Sequence, residues 1–179
     1  MTVGKNKSKV SKDKPIIDDP KLAEGTEEDL EKAIQFAKKY LEDLLSFLGL
    51  NTDVHASHDD DVIQLNVPTS RLNGFLIGQH GDNMRSIQFL VGSVLKNQNY
   101  NYSRVNVDIA GYKQQRADRL VRIAEDWIKQ VKTSAQPMEL RPMNASDRRI
   151  IHKVAGEAGL STESIDEGRD RHIILKPAD

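Results

Sequence analysis

The 179-residue chain contains no cysteine. That excludes a disulfide framework, a thiolate zinc site, an iron–sulfur cluster and a cysteine nucleophile. Aromatic residues are scarce: one Trp, four Tyr and four Phe. Walker A and zincin motifs are missing, and no metal or cofactor is expected. No apolar run approaches the roughly 20 residues needed to span a bilayer. The start, Met1-Thr2-Val3-Gly4-Lys5, stays polar and has no apolar signal region. The expectation is a cytoplasmic protein without membrane insertion. Arginine is absent before Arg71, and charge follows the same divide. Residues 1–70 hold nine Lys and Arg against fourteen Asp and Glu; residues 71–179 hold seventeen against thirteen. A net charge of −1 predicts no strong attraction to an anion, but its distribution makes the later part the candidate to meet one.

Residues 1–25 read as a disordered lysine-rich tail. Lys5, Lys7, Lys9, Lys12 and Lys14 alternate with small polar residues, and Pro15 and Pro20 break any helix. Thr26 then opens a helix, with Asp29 three residues on as its capping partner. Leu30, Ala33, Ile34, Ala37, Leu41, Leu44, Leu45 and Leu48 recur at helical spacing. Two short strands, 52–57 and 62–67, flank an acidic turn. A short helix, a tight glycine loop and a longer helix follow, then a strand over 104–109. A long helix over 112–133 carries Leu120, Ile123, Ala124, Trp127 and Val131 on its expected buried stripe. After Pro137 come a short extended piece, a helix from Asn144 or Ser146 to Gly156, and two strands near 162–166 and 172–176. The expected class is α+β. The expected division is 26–110, a linking helix over 111–136, and a β-α-β-β unit over 137–179, a length whose own core is marginal.

Two clusters carry candidate chemistry. In the first, Gly78-Gln79-His80-Gly81 lies between two helices and follows Leu76-Ile77. Two glycines let a ligand's backbone come close, and the following helix start offers free N–H groups suited to a phosphate. Arg85 sits one turn further on. By spacing alone, a plain tight turn explains the loop equally well. In the second, Arg148-Arg149-Ile150-Ile151-His152 puts Arg148 and His152 on one helix face. Planar donors of these types bind phosphates and stack on bases. By spacing alone, the pair reads as surface residues covering a helix end.

The order helix–strand–strand–helix–Gly-x-x-Gly–helix–strand resembles a type II KH domain. Leu76-Ile77-Gly78-Gln79-His80-Gly81, with Ile87-Gln88-Phe89-Leu90-Val91 behind it, resembles the bacterial Jag family. Glu139-Leu140-Arg141-Pro142-Met143-Asn144, with Asp147 to His152, resembles that family's C-terminal Arg-x3-His (R-3-H) domain. The resemblance covers about residues 28–176. It implies a type II KH domain (α-β-β-α-α-β) joined by a long helix to a nucleic-acid-binding domain. In KH domains such a loop clamps a short single strand. The resemblance therefore implies phosphate contacts at Gly78, Gln79, His80 and Gly81, a base groove lined by Ile77, and a signature pair in Arg148 and His152. Arg141, Arg149 and Arg171 are added as nearby phosphate contacts. The family usually places Lys or Arg between the glycines; Gln79 and His80 stand there instead, so weaker Coulombic attraction is expected. Many Jag proteins carry a separate N-terminal domain; the expectation here is the lysine-rich tail in its place.

The implied function is binding of single-stranded RNA, or single-stranded DNA, without catalysis, in post-transcriptional control or as an RNA chaperone linked to cell elongation. A small KH-only protein is the implied partner. Two other classes stand beside it. One is an enzyme built on His55, His58 and Asp59–Asp61, which reads more simply as an acidic turn. The other is a protein-binding or ribosome-associated adaptor with a degenerate KH loop.

Overall fold

The computed structural model describes residues 26–177, so the lysine-rich stretch 1–25 lies outside the described residues. The first helix, α1 (Glu27–Phe47), begins at Thr26, whose hydroxyl accepts the Asp29 N–H while the Asp29 carboxylate accepts the Thr26 N–H. This reciprocal cap satisfies two of the helix's open donors. Leu30, Ala33, Ile34, Ala37, Leu41 and Leu45 form its buried face. The antiparallel pair β1 (His55–Asp59) and β2 (Val62–Val67) follows. The first strand starts three residues later than 52, and residues 52–54 approach it as coil.

Next come α2 (Asn73–Ile77), a 3-10 turn over Gln79–Gly81, α3 (Asp82–Asn97) and β3 (Arg104–Ile109). The strand β3 pairs parallel to β2, giving the sheet order β1-β2-β3. A parallel neighbour needs a long crossover, which α2 and α3 supply. Residues 27–109 thus have the α-β-β-α-α-β order expected of the type II KH arrangement. Their core joins α1, the sheet and α3 through Leu41, Leu45, Ile63, Leu65, Val91, Leu95 and Ile109. The acidic turn is tied into this unit: Arg104 Nη1 donates to both Asp61 carboxylate oxygens at 2.9 and 3.0 Å.

The long helix α4 (Tyr112–Ser134) runs on into a second core. Leu120, Ala124, Ile128 and Val131 pack there with Leu140, Ile151, Ala155, Ile173 and Leu175. The other elements of this unit are β4 (Met138–Glu139), α5 (Ala145–Glu157), β5 (Ser161–Ile165) and β6 (His172–Lys176), with sheet order β4-β6-β5, both pairings antiparallel. The helix α4 is therefore a wall of the second core, which a β-α-β-β stretch alone is too short to complete. Ile123 departs from its expected place on the buried stripe. It is 43% exposed, because Ala124 and Leu120 take the helix face that meets α5.

Candidate nucleic-acid interface

The glycine loop is built from unusual backbone. Gly78 (φ 70°), His80 (φ 52°) and Gly81 (φ 84°) all adopt positive φ, a region that Cβ-bearing residues seldom enter. A Cβ on Gly78 would lie 2.7 Å from Asn83 Cγ. That close approach lets Asn83 Nδ2 donate to the Phe75 carbonyl at 2.7 Å and staple α2 to the start of α3. Gly81 is buried, and a Cβ there would meet the Tyr112 ring at 3.1 Å. The glycines at this spacing are required by the turn itself, whatever else the loop does.

The loop's charge is already engaged. Arg85 donates to the His80 carbonyl at 3.0 Å and ion-pairs with Asp82. Across the loop, Arg116 of α4 places Nη2 3.2 Å from His80 Nδ1 and 3.0 Å from the Asp147 carboxylate at the start of α5. A guanidinium only donates, so in this contact His80 Nδ1 is the acceptor. Asp147 is 3% exposed. Its N–H is capped by the Asn144 side chain, whose Nδ2 also reaches the His80 carbonyl at 3.5 Å. The loop of the first unit is thus held against α4 and the head of α5.

Of the expected loop residues, Gln79 and His80 are exposed at the surface, while Gly78 is half-buried and Gly81 buried. Ile77 is half-buried and packs against the first core. Gln79, His80 and Arg85 come together with Phe89 and Leu90 on one side of a cleft of about 920 Å³, and Pro142, Met143, Asn144, Gly168 and Arg169 of the second unit form the other side.

The Arg-x3-His pair lies elsewhere, on α5 over β5. His152 Nδ1 is 2.6 Å from Thr162 Oγ1 and its Nε2 is 2.8 Å from Ser164 Oγ. Thr162 and Ser164 are two apart on the strand and so share a face. Burial pushes the imidazole pKa below its ordinary value, and the nearby Arg148 charge pushes it the same way. The result is a neutral ring clamped between two hydroxyls. Arg148 Nη1 donates to the Met143 carbonyl at 2.8 Å, anchoring the segment before α5. Arg141, Arg149 and Arg171 are exposed and form no ion pair with any described residue. Arg148 and His152 do not line the cleft that holds Gln79, His80 and Arg85.

Three participants escape the sequence patterns. Arg116 sits on a helix that periodicity marks only as amphipathic. Arg169 lies in a polar turn. Phe89 looks like one residue of an apolar run, yet it is 73% exposed on α3. The apolar pair that follows it offered a hint: Leu90 and Val91 cannot both share one buried stripe with Phe89.

Residues 118–177 match the R-3-H domain. The RNA-binding protein KhpB of Clostridium symbiosum is 30% identical over 147 residues, covering 81% of this chain and 64% of the relative. That of Bacillus subtilis is 28% identical over 145 residues, covering 79% and 69%. That of Lactiplantibacillus plantarum is 29% identical over 143 residues, covering 79% and 44%. The second unit is therefore an R-3-H domain on a mixed α+β scaffold. Beyond that domain, the chain is similar to these KhpB (Jag) proteins over about four-fifths of its length. It spans between 44% and 69% of the length of these three relatives. No helix among the described residues is long and apolar enough to cross a membrane.

Proposed function

We propose that this protein binds single-stranded RNA through its R-3-H unit, assisted by the loop of the first unit, and catalyses no reaction. The observation that carries the reading is the uncommitted charge of the R-3-H unit: Arg141, Arg149 and Arg171 lie exposed around the motif helix, each without a carboxylate partner among the described residues. Such guanidiniums bind phosphate and stack on bases. The relatives' description as RNA-binding proteins supports the same reading. Residues 26–110 and 137–179 act as two binding modules, with α4 as the second module's inner wall. One strand reaching both gains roughly 10²–10⁴-fold in avidity over either alone. The site of action is the cytoplasm, and a small KH-only protein is a partner that fits the first unit.

The test is anisotropy of a labelled single-stranded RNA at several salt concentrations. The parent chain binds with a negative salt slope. The double variant Arg148→Ala/His152→Ala binds more weakly while remaining folded, and Gln79→Asp/His80→Asp weakens binding less. A parent chain that fails to bind at low salt overturns the reading.

A further inference from the structure

We propose that the cleft between the two units is a nucleotide site distinct from the Arg-x3-His face, in which one base of a single-stranded RNA stacks on Phe89 and a phosphate meets Arg169. The inference rests on the RNA-binding reading above and adds a location and a chemistry to it. The space, about 920 Å³, falls in the range of small-ligand sites and admits a nucleotide.

Its walls differ in kind. On one side Phe89, 73% exposed, and Leu90, 44% exposed, present apolar surface that the described residues leave open; Met143 and Pro142 line the cleft from the second unit. A flat base covers such a ring while keeping its polar edge free. On the polar side the charges do not cancel. Arg85 is matched by Asp82, whereas Arg169 makes no ion pair with a described residue. The cleft's surplus is positive, which selects an anionic ligand. Gln79 is exposed, and no described residue hydrogen-bonds its amide, so it can meet a base edge. Aromatic surface beside a cation is the pattern by which single strands are held without a fixed sequence.

The cleft exists only while the two units keep their places, and Arg116 holds them. Its one Nη2 donates both to His80 of the first unit and to buried Asp147 of the second. Arg116 is therefore a positioning residue: it touches no ligand but sets the spacing between Phe89 and Arg169.

The experiment uses the full chain and an RNA of about ten nucleotides carrying 4-thiouridine, with affinity read by anisotropy and the photocrosslink mapped by mass spectrometry. The unaltered protein crosslinks in the peptide around Phe89 or around Pro142–Asn144. Phe89→Ala weakens binding on the order of tenfold without shifting the melting temperature, because the ring is exposed, and Phe89→Tyr restores it. Arg169→Ala flattens the salt slope, and Arg116→Met reduces the crosslink yield in the cleft while sparing the crosslink near Arg148. Should Phe89→Ala and Arg169→Ala bind like the parent while Arg148→Ala binds weakly, the cleft is no nucleotide site and the RNA-binding reading stands. Crosslinks confined to α5 and β5 overturn the cleft in the same way. A parent chain that binds no RNA overturns both.

Discussion

The glycine loop and the Arg-x3-His helix spend their residues in opposite ways. In the loop the backbone is unusual and the cations are consumed: three positive-φ centres lie beside Arg85 and Arg116, both held by carboxylates. On α5 the backbone is an ordinary helix, capped by Asn144, and exposed Arg149 has no carboxylate partner among the described residues. A loop whose charge is neutralised from within the chain has less Coulombic attraction to offer a phosphate, and its geometry also ties the two units together. A regular helix with unmatched charge is free to act outward. The lesson is that motif spacing reports backbone geometry well, and reports binding power only when the charges' partners are known.

The largest effect expected is on the scaffold of the second site. Ile151 is fully buried between α5, α4 and β6. Ile151→Ala should cost about 2–5 kcal/mol. Amide exchange will show whether the loss stays within 112–176 or spreads to the first unit. Protection lost equally in β2 and β3 would mean that the units unfold as one and that the contrast between them is not one of stability.

Gly78→Ala comes next. The added Cβ collides with Asn83 at 2.7 Å on a backbone of φ 70°, at a cost of about 1–3 kcal/mol. The matching change on α5, Ser146→Ala, alters an exposed side chain on regular helix and should be nearly neutral. Comparable melting temperatures for the two variants would sink the claim that the loop, unlike the helix, depends on its backbone.

The sequence displayed the loop and the helix unequally. Periodicity revealed α1, α3, α4 and α5, because each has one apolar face on a core, and Thr26 and Asn144 announced their caps through side chains that act within one turn. The relation between the units was not displayed. His80, Arg116 and Asp147 are 36 and 31 residues apart in the chain, and no local pattern links residues at such separation. The sparse aromatics gave no warning of Phe89 either, since exposure depends on what packs against α3, not on α3 itself. The alternating strand β2 was plain, but β1 lies at the sheet edge with mostly polar residues, so its start was misplaced by three residues.

Charge partners sharpen the contrast in solution. Arg149 and Arg171 form no ion pair with a described residue, whereas Arg85 does. Replacing Arg149 and Arg171 together by Ala should weaken RNA binding several-fold and reduce the salt slope by about 0.7 for each phosphate contact removed. Arg85→Ala should change the slope less, because Asp82 already neutralises that charge. Equal slopes for the two variants would erase the distinction between consumed and available cations.

The finest test concerns His152, whose two ring nitrogens are both engaged within the domain, by Thr162 and Ser164. Its pKa is lowered in the folded chain by burial and then by Arg148, so the folded state binds this proton less readily than the unfolded state. The sign follows: the contribution to stability is complete above the ordinary value of 6.5, falls as pH drops below it, and levels off below the depressed native value. Melting temperatures between pH 8 and pH 5 should therefore decline more for the parent than for His152→Gln, which has no proton to gain. Calorimetry of RNA binding in two buffers of different ionisation enthalpy then separates support from contact. A ring held by Thr162 and Ser164 takes up no proton when RNA binds, whereas a ring touching phosphate is drawn toward the imidazolium and takes one up. Net proton uptake that vanishes in His152→Gln would move His152 from a buttress of the helix to a direct phosphate ligand.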